Sequence, residues 1–125
     1  SEMCIRDRNK KGIVVKDAKI LILGITFKEN CPDVRNTKVV DIYHTLSEYT
    51  NNIDVYDPWA NAERVEHEYG ISIKTQLPDE MYDAVILAVA HNEFRDIDFS
   101  AIRANNSVLY DVKGVLSRDI IDGRL

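Results

Sequence analysis

Two apolar runs constrain this chain more than anything else in it. Ile20-Leu-Ile-Leu23 runs without alternation into Gly24, and Asp83-Ala-Val-Ile-Leu-Ala-Val-Ala90 repeats the pattern later in the chain. A strand with one wet face alternates polar and apolar residues, so unbroken runs of this length describe strands covered on both faces. That requires a parallel sheet with helices on either side. The expected fold class is therefore α/β, a Rossmann-like three-layer α/β/α arrangement with a mainly parallel sheet.

The first strand is expected over about 18–25. It opens into Thr26-Phe-Lys28 and Glu-Asn-Cys-Pro-Asp-Val-Arg35, after which Asn36 and Thr37 are the first candidate caps of a helix. Strand, glycine, basic loop and helix start together describe a site for a phosphorylated ligand. Backbone N–H groups and the helix dipole favour an anion there, and Lys28 and Arg35 can neutralise it. The alternative is that both cations are merely solvated loop residues.

Val39, Ile42, Tyr43 and Leu46 fall at helical spacing with Tyr49 continuing the face, predicting a helix over about 38–49. Ile53–Tyr56 reads as a second strand, stopped by Asp57-Pro58. Asp57 has two readings. It can start a turn, or it can be the acid that binds ribose hydroxyls at the end of a second strand in dinucleotide folds. The glycine fingerprint that accompanies such an acid is missing, since Gly24 stands alone, and the turn reading is preferred.

A surface helix over about 60–69 closes at Gly70, Ile71-Ser-Ile73 reads as a third short strand, and 83–90 as the second buried one. His91 follows at its carboxyl end, where ligands sit in open α/β sheets, so it is a candidate on the site rim; its other role would be to cap the next turn. A short amphipathic helix is expected between Phe94 and Arg103, a turn at Asn105-Asn106, and a last core strand over 107–111 leading to Lys113. The polar segment 118–125 is a tail or short helix. In a parallel sheet Lys28, Arg35 and Lys113 would share one rim.

Composition excludes several classes. With 125 residues, 45% apolar and 30% charged, the chain suits one soluble domain, and a net charge of -5 argues against a nucleic-acid partner. Its apolar runs are far too short for a bilayer, so no membrane role and a cytoplasmic location are expected. Cys4 and Cys31 have neither a disulfide framework nor metal-ligand spacing with any histidine; both read as reduced thiols and no metal site is expected. Residues 1–8 have no periodicity and are read as an extraneous remnant or disordered lead, leaving 9–125 as the domain.

Five segments in order resemble a known family. Ile22-Leu-Gly-Ile-Thr-Phe-Lys28, Pro32-Asp-Val-Arg-Asn-Thr37, Val55-Tyr-Asp-Pro-Trp59, Ala88-Val-Ala-His-Asn-Glu-Phe94 and Tyr110-Asp-Val-Lys-Gly-Val-Leu116 are similar to the C-terminal UDP-binding domain of the UDP-glucose/GDP-mannose dehydrogenase family. The form of the Tyr-Asp-Pro-Trp, Ala-His-x-x-Phe and Asp-Val-Lys-Gly segments looks most like the branch acting on UDP-N-acetylhexosamines for surface polysaccharides. Enzymes of that family use NAD to oxidise the C6 hydroxyl of a nucleotide sugar to a carboxylate, through a thiohemiacetal and thioester on a cysteine.

The resemblance implies that Phe27 and Lys28 contact the UDP-sugar, that Lys113 is a further substrate contact, and that Arg35 reaches toward NAD held by another domain. It also implies a homo-oligomer for the full-length enzyme. It assigns no catalytic residue here, because the cysteine motif and the dinucleotide glycines of the family are not in this sequence. Cys31 lies in Asn-Cys-Pro-Asp, without an adjacent histidine to activate it, and is not the family's nucleophile. Alone, the chain is expected to be inactive. A free-standing nucleotide-binding or regulatory α/β module is the competing reading, and a CoA- or NAD-binding fragment a third; a preceding domain with G-x-G-x-x-G would favour the dehydrogenase.

Overall fold

The computed structural model describes residues 18–35, 37–111 and 123–124. Five strands, β1 (Lys19–Leu23), β2 (Asn52–Tyr56), β3 (Tyr82–Leu87), β4 (Arg103–Asp111) and β5 (Gly123–Arg124), form one sheet in the order β2-β1-β3-β4-β5. Every pairing is parallel. Helix α1 (Val39–Ser47) joins β1 to β2, α2 (Ala62–Tyr69) follows β2, and a 3-10 turn (Asn92–Asp96) with α3 (Phe99–Ile102) joins β3 to β4.

The unbroken apolar runs are explained by two cores. Ile20, Ile22, Ala84, Ile86, Val108 and Tyr110 face one side, under Val39, Val40 and Leu46 of α1 and Val65 of α2. Leu21, Leu23, Val85, Leu87 and Leu109 face the other, under Phe94 of the 3-10 turn and Phe99 and Ile102 of α3. The three-layer Rossmann-like architecture expected from the sequence is the one observed. Helices on one face while the chain steps from β1 outward, and on the other once it returns to β3, are what right-handed crossovers demand.

Local signals set the element ends. Asn61 caps α2 by accepting from the Arg64 amide, and Gly70 closes it in the left-handed conformation at φ 70°. Asp98 caps α3 through the Ser100 amide. The Thr37 hydroxyl accepts from the Val39 amide at the start of α1.

Four expectations need correction. Ile71-Ser-Ile73 is not a strand: the edge is reduced to one parallel bridge between Tyr56 and Lys74, made by Lys74 N–H on the Val55 carbonyl (2.8 Å) and Asp57 N–H on the Lys74 carbonyl (3.0 Å). Tyr49 does not extend the face of α1, which ends at Ser47; it is 42% exposed. Asn105-Asn106 is no turn but lies within β4, where the register against β3 shifts between Tyr82↔Arg103 and Ala84↔Val108, so the extra length is absorbed as a bulge. The Arg103 side chain spans that bulge, donating to the hydroxyl and carbonyl of Ser107, each at 3.0 Å. Finally, β4 is not the last strand, because Gly123–Arg124 adds β5 beside Tyr110 and Asp111. The boundary expected at residue 8 lies outside the described residues.

Candidate functional site

Register brings the carboxyl ends of four strands abreast: Leu23 pairs with both Tyr56 and Leu87, and Leu87 with Asp111. The strand order reverses between β1 and β3, so the crevice outside Leu23 and Leu87 is the topological switch point at which open α/β sheets bind ligands. The chain leaves β1 through Gly24, at φ +95°. A Cβ there would stand 2.5 Å from the Cβ of Val89, so only glycine lets the ends of β1 and β3 approach this closely.

Past Gly24, the loop to Asp33 is tied to that crevice by polar groups from two strand ends. Asp57, at the end of β2, is fully buried. Its Oδ2 accepts from the amides of Ile25 (2.7 Å) and Thr26 (3.3 Å), and its Oδ1 from those of Trp59 (2.7 Å) and Ala60 (2.9 Å). Burial alone would push its carboxyl up. Hydrogen bonds from His91 and the backbone outweigh it, and the group titrates below the ordinary carboxylate value.

His91, at the end of β3, is also fully buried. Its Nδ1 accepts from the Asn30 amide at 2.8 Å, so the ring proton is on Nε2. Nε2 lies 3.0 Å from Asp57 Oδ2 and 3.1 Å from Thr26 Oγ1. The Thr26 hydroxyl spends its own proton on the Lys28 carbonyl at 2.9 Å, which leaves its oxygen free to accept from Nε2. The loop is closed by the Phe27 amide on the Asp33 carbonyl (2.7 Å), and Asn30, at φ 55°, accepts from the Asn92 amide (2.9 Å). Trp59 stacks on the His91 ring at 6.0 Å between centroids and donates to Glu93 at 3.0 Å.

The residues expected to meet a ligand separate into distinct environments. Phe27 is 56% exposed and Lys28 is exposed beside it, at the crest of the tied loop. No partner holds the Lys28 ammonium among the described residues. Arg35 is exposed as well, but Asp33 grips it: Nε and Nη2 donate to the two carboxylate oxygens at 3.0 and 3.1 Å, and the Arg35 amide adds a third bond at 2.9 Å. The Arg35 hydrogen bonds hold the Asp33 carboxyl down at about 2. Lys113 lies outside the described residues, so the expected convergence of three cations is seen only as Lys28 and Arg35 on one loop.

His91 is on the rim by position, yet it presents no atom to solvent. Its two nitrogens are taken, and its carbonyl accepts from the Phe94 amide at 3.1 Å to start the 3-10 turn. It supports the site from beneath. Asp57 makes the turn that its Asp-Pro context indicates; its pairing with His91 across 34 positions has no signature in the sequence. Cys31 is a half-buried free thiol, and no metal-binding group of side chains occurs among the described residues.

Asp57 is not available to the ribose of NAD in this crevice. The oxygens of Asp57, which would be the ribose acceptors, are buried and occupied by amides and imidazole. Gly24 is packed against Val89, which lies 2.5 Å from where a Cβ would stand. The crevice offers an anion Lys28 at its crest, and α1 starts on the same rim. Between Ile25 and Lys38 three cations, Lys28, Arg35 and Lys38, stand against two acids, Glu29 and Asp33, in a chain that is acidic as a whole.

Comparison with known proteins gives the family and the fold. Residues 21–118 match the model of the UDP-glucose/GDP-mannose dehydrogenase family, UDP binding domain. The chain is 50% identical over 119 residues to the UDP-N-acetyl-D-glucosamine 6-dehydrogenase of Pseudomonas aeruginosa, covering 93% of this chain and 28% of that protein. It is 44% identical over 128 residues to the Salmonella typhi protein of the same name, covering 100% of this chain and 30% of that one. The chain thus spans about three tenths of the length of these curated relatives. Among solved structures, the NDP-N-acetyl-D-galactosaminuronic acid dehydrogenase of Methanosarcina mazei Go1 shares the fold, with a TM-score of 0.83 at 19% identity over 95% of this chain and 25% of that one. A rim built at the switch point of a parallel sheet, and a family match running from β1 through β4, lead to one assignment: the chain belongs to the UDP-glucose/GDP-mannose dehydrogenase family, as its UDP binding domain.

Proposed function

We propose that the chain is the C-terminal nucleotide-sugar-binding domain of an NAD-dependent UDP-sugar 6-dehydrogenase that oxidises a UDP-N-acetylhexosamine to its uronic acid for surface polysaccharide synthesis. The observation that carries this reading is the Lys28 ammonium, without a partner among the described residues and raised on a loop that His91 and Asp57 tie to the switch-point crevice. An ammonium held this way attracts a diphosphate or a sugar carboxylate without first having to leave an ion pair. The exposed Phe27 ring beside it offers an apolar face to the uridine or sugar, and Lys113 is the second substrate cation. The 50% and 44% identities to two UDP-N-acetyl-D-glucosamine 6-dehydrogenases support the N-acetylhexosamine branch.

In this reading the domain binds and orients, while the oxidation belongs to parts of the enzyme outside this chain. NAD supplies the hydride acceptor when bound by the other domain. Arg35 is the residue that would meet it, and the Asp33 clamp supports this role by pre-aligning the guanidinium. The whole enzyme is a cytoplasmic homo-oligomer, and no helix among the described residues is long and apolar enough to cross a membrane. The test is a substrate panel. The enzyme containing this domain should reduce NAD with UDP-N-acetylhexosamines in preference to UDP-glucose, and the chain alone should bind UDP but not NAD. Binding of NAD by the chain alone, or turnover of UDP-glucose in preference, would refute the assignment.

A further inference from the structure

Lys28 sits between two points at which the same imidazole acts. On one side the Thr26 hydroxyl, which lies 3.1 Å from His91 Nε2, holds the Lys28 carbonyl; on the other, His91 Nδ1 holds the Asn30 amide. Asn30 in turn accepts from the Asn92 amide, the residue after His91, so the loop is stitched twice to the end of β3. Both His91 and Asp57 are fully buried, and the pair is saturated with partners. Nothing in the folding of β3 requires a basic ring here. An apolar side chain would fill the space as well, were there no loop amide to hold and no carboxylate to meet.

We propose that His91 is the positioning residue of the Lys28 loop, with its two ring nitrogens performing separable tasks. Nε2, shared between Asp57 and Thr26, joins β2 to β3 and anchors the root of the loop, and so serves the fold. Nδ1, accepting from Asn30, fixes the curvature of the loop that presents Phe27 and Lys28, and serves the ligand. The second task rests on the nucleotide-sugar reading of that loop, whereas the loop's dependence on Nδ1 does not.

Two conservative substitutions divide the ring. In His91→Asn the side-chain oxygen reaches the place of Nδ1 and nothing reaches Asp57; in His91→Gln the amide nitrogen reaches the place of Nε2 and the acceptor for Asn30 is lost. His91→Gln should leave the thermal midpoint near wild type, accelerate hydrogen exchange of the Asn30 amide about tenfold relative to the β3 amides, and weaken UDP binding about tenfold. His91→Asn should lower the midpoint yet keep the Asn30 amide protected and UDP bound. Unchanged Asn30 exchange in the Gln variant, or UDP affinity that simply follows thermal stability across the two, overturns the proposal. Ring nitrogen chemical shifts of wild-type His91 test it without any substitution: the proton is expected on Nε2, and finding it on Nδ1 overturns it. A wild-type chain that binds no UDP, or a Lys28→Ala chain that binds it as well as wild type, defeats the nucleotide-sugar reading instead, and Asn30 exchange still decides the role of His91.

Discussion

His91 and Asp57 face each other across the switch point, Nε2 to Oδ2 at 3.0 Å, with neither side chain exposed to water. One comes from the end of β3 and the other from the end of β2, and β1 runs between them. Their contact fastens the loop that follows β1 to both of its neighbours. Removing one partner leaves the other buried without compensation, which costs more than the pair contributes.

Asp57→Ala should therefore destabilise the chain by about 3–5 kcal/mol, because four backbone amides and the imidazole lose their acceptor together. Asp57→Asn keeps the shape and one acceptor oxygen, and should cost about 2 kcal/mol. Urea unfolding of the three proteins checks both values. An Asn variant as damaged as the Ala variant would mean that charge, and not hydrogen bonding, holds the network.

The pH dependence follows from the sign of the Asp57 shift. Its folded value lies below its unfolded one, so the stability it contributes is complete above the unfolded value, about 4, and is lost as pH falls through the lower folded value. Wild-type unfolding free energy should fall steeply below about pH 4, and Asp57→Asn should flatten that part of the profile. Parallel profiles would show that other carboxyls carry the acid sensitivity.

Asp33 gives a local titration that can be read directly. Its carboxyl should titrate at about 2 by carbon NMR, and Arg35→Ala should return it to the usual range near 4. Failure to move would mean that the Arg35 clamp does not persist in solution.

Gly24→Ala places a methyl group 2.5 Å from the Val89 Cβ on a backbone at φ +95°. Overpacking and backbone strain together should cost about 2–4 kcal/mol, measured by thermal unfolding. A loss under about 1 kcal/mol would show that β1 and β3 separate easily at the rim.

How far the sequence discloses this arrangement depends on where each signal resides. β1 and β3 are legible because burial on both faces leaves an unbroken apolar run, and α2 because Asn61 and Gly70 mark its two ends. β5 is not: two residues, Gly123 and Arg124, are too few to carry a period. Asn105-Asn106 looks like a turn from composition, but pairing on either side of it, at Arg103 and from Val108 onward, carries it through β4 as a bulge. At the site, Phe27, Lys28 and Arg35 stand out because they follow a buried strand. The Asp57–His91 pair does not, since its two halves look like a turn starter and a cap until the sheet brings their strand ends together.

The proposed grip of the Lys28 ammonium on a nucleotide diphosphate is open to measurement. Calorimetric titration of UDP into the wild-type chain and Lys28→Ala tests it most directly. Loss of one charge-assisted contact should weaken binding about tenfold to a hundredfold without a change in thermal midpoint. Equal affinity in the two proteins would contradict the claim.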